Sequence, residues 1–355
     1  QSSRFLIWVS SKYQGTGLMK LGSKISATGH YLPEQVISNE DLSKIMDTSD
    51  EWISKRTGIR SRHISKDENT SDLSSKAAVK ILQNGKITAD QLDFIIVATM
   101  TPDALSPSTA CLVQEKIGAV NAFCFDINAA CSGFVYALST GLHMMQSGLY
   151  QYGMIIGAET MSKVVNWEDR STAVLFGDGA GGLLLERTED DCFVAEAIHS
   201  DGGRHMALVA NTMKVENPYG DSSQKEQAFL TMDGRAIFDF AIRSVPSVIR
   251  EVMEKGNLSD GDLKKILAHQ ANVRLLEAIS KKVKLPFSLF ATNIAETGNT
   301  SAASIPILLD QLVQTKEIQL GTKDKVLMTG FGGGLTWGAI VVSKKKKKHI
   351  WRNLL

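Results

Sequence analysis

The stretch DINAACSGF (126–134) places Cys131 directly after a run of small residues, where an apolar strand should end and a long helix should begin. A thiol at the beginning of a helix lies near the positive end of the helix dipole, which favours the thiolate over the thiol. Small neighbours would also leave space for a substrate. We therefore interpret Cys131 as a candidate nucleophile, with an inert buried cysteine as the alternative.

A histidine and an asparagine in the second half of the chain are the candidate partners of this thiol. His269 follows the strand-like KILA in HQAN, and residues at the carboxyl end of a strand often face the ligand crevice of an α/β sheet. Asn299, in ETGNTSAAS, begins a predicted helix in nearly the position that Cys131 has in the first half. An amide donates hydrogen bonds without titrating. Taken alone, each residue fits a structural role better, as a hydrogen-bonded histidine and as an N-cap.

Trp52, Arg56 and Arg170 are candidate ligand-binding residues elsewhere in the chain. Tryptophan offers a flat face for stacking and arginine pairs with phosphate, so together they suit an anionic, aromatic ligand. An ordinary surface patch is the alternative.

Two glycine-rich runs resemble nucleotide-binding motifs only in their letters. GDGAGG (177–182) matches GxGxxG, but a strand-like LLLE follows it where a dinucleotide fold requires a helix. GFGGG (330–334) lacks the lysine of a Walker motif. We expect both runs to let one backbone segment approach another, or to direct N–H groups at a ligand.

The elements that must position these residues form two similar halves. Apolar β-rich runs alternate with helical patterns in both, which predicts an α/β fold with helices covering a parallel or mixed sheet. We interpret the halves as a tandem duplication of a βαβαββ unit, whose second helix opens with small residues so that two helices can meet at the centre. The predicted strands are 94–100, 122–128 and 152–158, then 265–269, 288–294 and 325–330, and the predicted helices are 108–118, 131–148, 271–283 and 299–314.

The chain divides into four parts. These are an added or disordered extension (1–18), a first half (19–190), a second half (191–343) and a solvated basic tail (344–355). Within the halves, segments 33–88 and 187–245 are predicted to be long irregular insertions, which are usually functional or disordered.

Composition limits the classes of function. Hydrophobic residues make up 43% and charged residues 22% of the 355 residues, which is usual for a globular protein. The net charge is +1, but excluding the two ends leaves 31 basic and 38 acidic groups, a net charge of −7. This charge argues against nucleic-acid binding, which usually needs a basic footprint. No apolar run approaches the ~20 residues that span a bilayer, so we expect a cytoplasmic protein that does not insert into a membrane. The four cysteines form no CxxC pair, so we expect no metal site.

Six stretches together resemble the β-ketoacyl-acyl carrier protein synthase III family, the condensing enzymes that start type II fatty acid synthesis. In the family's order they are MDTSDEWISKRTGI, DINAACSGFVYAL, DRSTAVLFGDGAG, HQAN, GNTSAAS and GFGGGLTWG, and the resemblance covers nearly all of 19–343. It implies the thiolase fold, a duplicated α-β-α-β-α five-layer sandwich, and a homodimer.

The resemblance also implies a Cys-His-Asn active site formed by Cys131, His269 and Asn299. Cys131 would attack the thioester of a short acyl-CoA, with the backbone N–H groups of Cys131 and Gly333 as the oxyanion hole. Malonyl-acyl carrier protein would then bind, and His269 and Asn299 would hydrogen-bond its carbonyl as CO2 leaves. The resulting enolate would attack the acyl-cysteine. No cofactor is implied, because acyl-CoA is a substrate.

Further residues match the family's binding positions. Those that would bind coenzyme A are Thr48, Trp52, Arg56, Thr57, Arg170, Asn272 and Phe331. Those that would dock the acidic carrier protein, on the basic helix after HQAN, are Arg274, Lys281, Lys282 and Lys284. The sequence differs from some family members at the acyl pocket. Those members have a phenylalanine that closes the pocket, and this chain has Ala104, Leu105 and Ser106 there. Branched or longer acyl primers therefore remain possible substrates.

Other assignments stay open from the sequence. A condensing enzyme of polyketide or secondary metabolism shares the Cys-His-Asn set and differs in its dependence on a carrier protein. A thiolase would need a second catalytic cysteine near the carboxyl end, and none follows Cys192. An elongating synthase would have histidine in place of Asn299. A non-catalytic thiolase-fold binding protein and a cysteine hydrolase are the alternatives from other classes.

Overall fold

The computed structural model describes residues 22–345 except 214, 216 and 220–227. The extension predicted for 1–18 lies outside these residues, as do positions 346–355 of the predicted tail. Among the described residues, none of the helices has the length and apolar character that crossing a membrane requires.

The first half is built around one sheet. Its elements, in chain order, are β1 (Gly22–Tyr31), β2 (Val36–Ser38), α1 (Asn39–Ser43), α2 (Asp50–Thr57), β3 (Ser61–His63), α3 (Thr70–Gly85), β4 (Phe94–Ala98), α4 (Thr109–Ile117), β5 (Phe123–Ile127), α5 (Gly133–Gln146), β6 (Tyr152–Glu159), α6 (Arg170–Ala173) and β7 (Gly179–Thr188). The sheet has the order β1-β7-β6-β4-β5. In it, β4 is parallel to β5 and β6, and β7 is antiparallel to β1 and β6.

The second half is built around a second sheet. Its elements are β8 (Asp191–Ser200), β9 (Leu208–Val209), β10 (Thr231–Met232), α7 (Gly234–Lys255), β11 (Leu263–Ala268), α8 (Val273–Val283), α9 (Ile294–Thr297), α10 (Ser304–Gln314), β12 (Lys325–Gly332) and β13 (Thr336–Lys345). The sheet has the order β11-β12-β13-β8, with β11 parallel to β12 and β13 antiparallel to both of its neighbours. β2 with β3, and β9 with β10, form small separate pairs.

The two sheets confirm the duplication. Read from β8, the second sheet has the same order and strand directions as the first, and a single parallel bridge between Ile266 and Phe290 stands in the place of β5. Each repeat has a strand and a helix before the predicted βαβαββ unit. These are β1 and α3 in the first half, and β8 and α7 in the second. The first sheet ends at Thr188 and the second begins at Asp191.

Three hydrophobic clusters define five layers. α3 and α4 cover the outer face of the first sheet, and α7 and α8 cover the outer face of the second. α5 and α10 lie between the two sheets. Successive residues of a strand face different layers, so Ile155 belongs to the central cluster and Ile156 to an outer one. This is the predicted α-β-α-β-α sandwich.

Segments 33–88 and 187–245 are not simple irregular insertions, contrary to the prediction, because they contain the core elements α3, β8 and α7. α3 contains several serines, a residue type that favours helix caps and turns over helix interiors. Ser74 Oγ and Ser75 Oγ are buried and donate to backbone carbonyls one turn earlier, so the helix satisfies its own hydroxyl groups.

Two strand predictions in the second half also need correction. Segment 288–294 is not a strand: a 3-10 turn spans Phe287–Leu289, one bridge reaches the sheet, and the chain then enters α9. β13 extends to Lys345, so the predicted tail begins inside a strand.

Glycines allow α10 and the turn before it to lie directly on the first sheet. A Cβ on Gly181 of β7 would lie 2.6 Å from Ile307 N, and a Cβ on Gly157 of β6 would lie 2.3 Å from Ala302 O. Side chains do not fit at such distances, so these positions require glycine. The run GDGAGG therefore brings backbone segments together, as expected, and the two halves meet at the small residues that open their central helices.

We expect Gly181→Ala to lower the free energy of unfolding by about 1–3 kcal/mol, the usual cost of overpacking a core. The new methyl group would overlap the backbone of α10. Urea denaturation measures the change. Gly261→Ala is the matched control, because a Cβ there meets nothing within 4 Å. Equal losses of stability in both variants would contradict this account of the contact.

Candidate active site

Cys131 and Asn299 lie in the same turn of the two halves. In this turn an asparagine is followed, two positions later, by a residue with positive φ: Ala130 at 45° after Asn128, and Ser301 at 48° after Asn299. The asparagine Oδ1 accepts the backbone N–H of that residue in both copies, at 3.3 Å and 2.9 Å respectively. The 3-10 turns that follow span Ala130–Ser132 and Ser301–Ala303.

This comparison shifts the predicted equivalence of the two residues. Asn299 corresponds to Asn128, and Cys131 corresponds to Ala302, so the two candidates occupy positions three residues apart in the repeat. Cys131 also lies in the 3-10 turn, two residues before α5 begins at Gly133.

His269 lies directly after β11, at the carboxyl end of that strand, where the sequence placed it. Its backbone N–H donates to Thr329 O at 2.8 Å. Its Nδ1 lies 2.9 Å from Ser304 Oγ, at the beginning of α10. The ring meets Phe331 edge to face, with 5.3 Å between the ring centres. Because Nδ1 has this partner, Nε2 is the ring nitrogen left for a ligand.

The three predicted catalytic residues line one cavity of about 370 Å³. Cys131, His269 and Asn299 are 5%, 2% and 6% exposed. Arg56 and Arg274 also line the cavity and are exposed, so it reaches the surface. Apolar side chains that form much of the wall include Met100, Met161, Phe176, Leu208, Leu230 and Met232.

The glycine-rich segment at the end of β12 lies against Cys131. A Cβ on Gly332 would be 2.8 Å from Cys131 Cβ and 3.1 Å from its Sγ, so only glycine fits beside the thiol. Thr336 Oγ1 lies 3.0 Å from Ala129 O and 2.8 Å from Gly333 O, within hydrogen-bonding distance of both. These contacts hold the segment of Cys131 beside the segment of Gly333, and the predicted oxyanion hole requires both.

The environment of Cys131 overturns one expectation from the sequence. Burial raises the pKa of the Cys131 thiol to about 12; a hydrogen bond with Ser301 acts against this increase, and the charge of Glu159 adds to it. The dipole of α5 also opposes the increase, but burial dominates. The free protein therefore holds Cys131 as a thiol, and nucleophilic attack requires that the proton leave.

Burial acts on His269 in the opposite sense. It lowers the pKa of the imidazole to about 3, although the backbone of Ser301 favours the charged form. The ring is therefore neutral at ordinary pH, and the cavity offers neutral donors to a ligand.

Glu159 is a site residue that sequence reasoning missed. It ends β6, is fully buried, and accepts hydrogen bonds from Thr101 Oγ1 (2.6 Å), Ser301 Oγ (3.0 Å) and the Met100 N–H (3.1 Å). Burial raises its pKa to about 7, and these hydrogen bonds act to lower it. Glu159 ties a wall of the cavity to the turn after Asn299. The signal in the sequence was an acidic residue ending an apolar strand, in GAET.

Three residues predicted to bind the nucleotide form one group, here named the Trp52 cluster: Trp52, Arg56 and Arg170. The guanidinium carbons of Arg56 and Arg170 lie 4.4 Å and 5.2 Å from the centre of the Trp52 ring. Arg170 also forms an exposed ion pair with Asp47, which contributes little to stability. Asn272 Nδ2 donates to Arg56 O at 3.0 Å and links α8 to α2. A flat ring with two cations close to it suits an aromatic, anionic ligand.

The other residues predicted to bind coenzyme A are less accessible. Thr57 is 3% exposed, and its hydroxyl group donates to Ile53 O and accepts the Ile59 N–H, so it stabilises the end of α2. Thr48 is half-buried. Phe331 lies in β12 and forms part of the cavity wall.

The cations predicted to dock a carrier protein lie on and after α8. Arg274 is at its beginning, beside the cavity, while Lys281 and Lys282 are in its last turn and Lys284 follows it; all four are exposed. Seven residues of helix span about 10 Å, so the cations extend from the cavity along the helix. Exposed Glu277 on the same helix reduces the local positive charge.

Comparisons with known proteins identify the family. The family model described as 3-Oxoacyl-[acyl-carrier-protein (ACP)] synthase III matches residues 125–202, and its C-terminal counterpart matches 253–344. The β-ketoacyl-[acyl-carrier-protein] synthase III of Streptococcus sanguinis (strain SK36) is 55% identical over 321 residues, which are 90% of this chain and 99% of that protein. This chain belongs to the β-ketoacyl-acyl carrier protein synthase III family.

Solved structures extend the comparison to the fold. The 3-oxoacyl-[acyl-carrier-protein] synthase III of Aquifex aeolicus VF5 has a TM-score of 0.83 and 42% identity, covering 91% of this chain and 100% of that one. A priming β-ketosynthase of the R1128 polyketide pathway has a TM-score of 0.85 and 30% identity, covering 93% and 98%. The thiolase-type sandwich is thus shared by enzymes of both kinds of pathway.

Membership of the synthase III family defines the class of reaction. The protein is an acyltransferase that catalyses the initiating condensation of fatty acid synthesis. Family membership therefore argues against the four alternatives that the sequence left open: a thiolase, an elongating synthase, a hydrolase and a non-catalytic binding protein.

We expect the rate of Cys131 alkylation by iodoacetamide to rise about tenfold for each pH unit between pH 6 and 9. Only the thiolate reacts, and its fraction grows in this proportion at pH values below a pKa of about 12. Peptide mass spectrometry follows the modification at Cys131. Half-buried Cys111 serves as the internal comparison. A plateau below pH 8 would show that the helix dipole outweighs burial after all.

Proposed function

We propose that this synthase III condenses a short acyl-CoA with malonyl-acyl carrier protein through an acyl-Cys131 intermediate. The products are 3-oxoacyl-acyl carrier protein, CoA and CO2. The observation that carries the proposal is that a cysteine, a neutral histidine and an amide line a single buried cavity that opens near exposed arginines. The proposed reaction uses no cofactor and takes place in the cytoplasm.

The first half-reaction loads the acyl group. Cys131 Sγ attacks the thioester carbon, the C–S bond to CoA breaks, and CoA takes up the proton that the cysteine loses. Because burial raises the pKa of the thiol, its proton leaves as the new bond forms. The N–H groups of Cys131 and Gly333 would stabilise the developing oxyanion. The Trp52 cluster suits the adenine and phosphates of CoA, and Asn272 and Phe331 suit the channel between them and the thiol.

The second half-reaction forms the carbon–carbon bond. His269 and Asn299 would donate hydrogen bonds to the malonyl thioester carbonyl, so that loss of CO2 gives a stabilised enolate. The enolate carbon attacks the acyl group, and the Cys131 thiolate leaves and is protonated. A histidine with a pKa near 3 remains neutral, so it stabilises the enolate without readily protonating it.

The choice of substrates is supported by the surroundings of the cavity. The exposed cations of α8, which begin with Arg274 at the cavity, suit an acidic carrier protein. Much of the wall is formed by flexible side chains such as Met100 and Met161, and Leu105 of segment 104–106 is 80% exposed. A branched short primer is therefore as compatible as an acetyl group. The polyketide priming enzyme of similar fold shows that this architecture is also used in polyketide synthesis.

We further propose that two copies assemble along β5. This strand is the last in the first sheet, and its outer edge carries partly exposed Phe123, Phe125 and Ile127. An open edge with apolar side chains is a template for strand pairing, so pairing of β5 with β5 of a second copy would continue the sheet.

Cys131→Ala should abolish transfer of an acyl group to the protein. Intact-protein mass spectrometry after incubation with acetyl-CoA and branched short acyl-CoAs measures this transfer and names the primer. His269→Ala and Asn299→Ala should still be acylated but should release CO2 from malonyl-carrier protein about 10²–10³-fold more slowly, the usual effect of losing one oxyanion donor. Asn121→Ala, at an exposed position, is the control. Normal condensation by Asn299→Ala would overturn the role given to the amide.

Arg170→Ala should raise KM for acyl-CoA about tenfold or more, since a hydrogen bond from a charged group contributes about 1.5–3 kcal/mol. The value of kcat should change little, because the contact is equal in ground and transition states. Acylation by an acyl-pantetheine, which lacks the nucleotide, should be unaffected. Arg60→Ala, an exposed arginine outside the Trp52 cluster, is the control. An equal increase for both acyl donors would refute a nucleotide-binding role.

A further inference from the structure

We propose that Arg62, in the middle of β3, is a positioning residue for the nucleotide part of acyl-CoA. Its buried guanidinium group joins the two segments that carry the Trp52 cluster, and it thereby holds Arg170 in place beside the indole ring. This inference rests on the nucleotide-binding role that the proposed function gives to the Trp52 cluster.

The members of the Trp52 cluster come from two separate segments of the first half. Trp52 and Arg56 lie on α2, within segment 36–63, whose two ends pair with each other as β2 and β3. Arg170 is the first residue of α6, much later in the chain. A nucleotide can therefore contact all three side chains only if segment 36–63 and α6 are held in a fixed arrangement.

Arg62 donates hydrogen bonds to backbone carbonyls of both segments. Its Nη1 donates to Ile37 O, in β2, at 3.2 Å, and its Nη2 donates to Val174 O at 2.8 Å. Val174 is the C-cap of α6, so it lies only about 6 Å along the helix axis from Arg170. Because a guanidinium group is a rigid planar fork, it fixes the two carbonyls relative to each other.

Arg62 is a fully buried cation, and its burial argues for a geometric role. Burial lowers the pKa of the guanidinium group to about 10, with no carboxylate acting against it, so the group is still charged at neutral pH. Its Nε has no hydrogen-bond partner among the described residues. A buried cation without an anion costs free energy that an apolar side chain of similar volume would avoid. Stability alone therefore does not account for an arginine here, whereas a need for directional contacts does.

The other contacts between the two segments are less directional or more exposed. Ile53 and Ile59 of segment 36–63 share an apolar cluster with Val174. Apolar packing brings segments together but is non-directional, so it does not fix their orientation. Arg170 also pairs with Asp47, but this ion pair is exposed and is weakened by salt. Arg62 adds a buried, directional link to this packing.

The first test measures the affinity of the protein for CoA. Arg62→Met keeps a long apolar stem and removes both hydrogen bonds, so the affinity for CoA measured by calorimetry should fall about tenfold, the usual loss of a charged contact. Arg187→Met is the matched control, because Arg187 also donates to a backbone carbonyl, that of Gly148, and lies outside the cavity and the Trp52 cluster. Its affinity should not change.

The choice of acyl donor separates positioning from general disruption. In Arg62→Met, KM for acyl-CoA should rise about tenfold, while acylation of Cys131 by an acyl-pantetheine should stay within about twofold of its normal rate. Acylation is the step to follow, because Val174 leads into Leu175, whose carbonyl accepts the Asn299 N–H at 2.8 Å, and decarboxylation could respond to that contact. An equal loss for both donors would overturn the proposal.

A double variant tests whether Arg62 acts through Arg170. Once Arg62→Met has released α6, adding Arg170→Ala should weaken CoA binding by much less than Arg170→Ala does in the unaltered protein, because residues of one network are not additive. Two full, independent losses of affinity would contradict a positioning role.

Arg62→Lys keeps the test informative if Arg62→Met does not fold. It retains a buried cation but replaces the planar fork with a single ammonium group, so CoA binding should still weaken relative to the unaltered protein. Unchanged CoA binding in Arg62→Lys would overturn the proposal. If neither variant folds, Arg62 supports the whole protein and the proposal is overturned as well.

The proposed function and this inference fail differently. If Arg170→Ala leaves CoA binding unchanged, the nucleotide-binding role of the Trp52 cluster is wrong and this inference falls with it. If Arg170→Ala weakens CoA binding but Arg62→Met behaves like Arg187→Met, the nucleotide-binding role stands and only the role of Arg62 is overturned.

Discussion

The contact between the turn before α10 and the first sheet is the constraint on which the site depends. Gly157 and Gly181 let this segment of the second half approach β6 and β7 to distances that no side chain allows. Because of this approach, Asn299 and His269 reach the cavity that holds Cys131 from the first half. The packing of the two halves and the geometry of the cavity therefore depend on the same two glycines. If the halves separated, the proposed donors His269 and Asn299 would move away from the thiol.

The duplication provides the same turn twice, and the chain uses a different position of each copy. Asn128 is exposed, whereas its counterpart Asn299 is buried at the cavity. Cys131 carries the thiol, whereas its counterpart Ala302 serves the close contact with β6. One copy of the turn thus carries the proposed nucleophile, and the other carries the proposed donor and a packing surface, which explains why two equivalent turns build a single site.

Sequence reasoning recovered the repeat, the central helices and the three polar residues Cys131, His269 and Asn299 that line the cavity, because apolar periodicity and short motifs carry that information. It missed α3 and α7, whose cores hold features that usually argue against a buried helix: serines in α3 that bond within their own helix, and Pro246 inside α7. It also misjudged the protonation of Cys131. A motif locates a thiol at a helix, but only the packed structure shows that burial outweighs the dipole.

Burial explains how one cavity can serve two unlike steps. A charged imidazolium would stabilise an enolate strongly but would also protonate it, whereas neutral N–H donors stabilise it without being strong acids. The low pKa of His269 and the raised pKa of Cys131 both follow from burial. In the proposed mechanism, the burial that raises the pKa of the thiol would therefore also protect the carbanion from protonation. Because neither group is charged, the directions of the hydrogen bonds in the cavity, and not its charge, determine how it can act on a substrate.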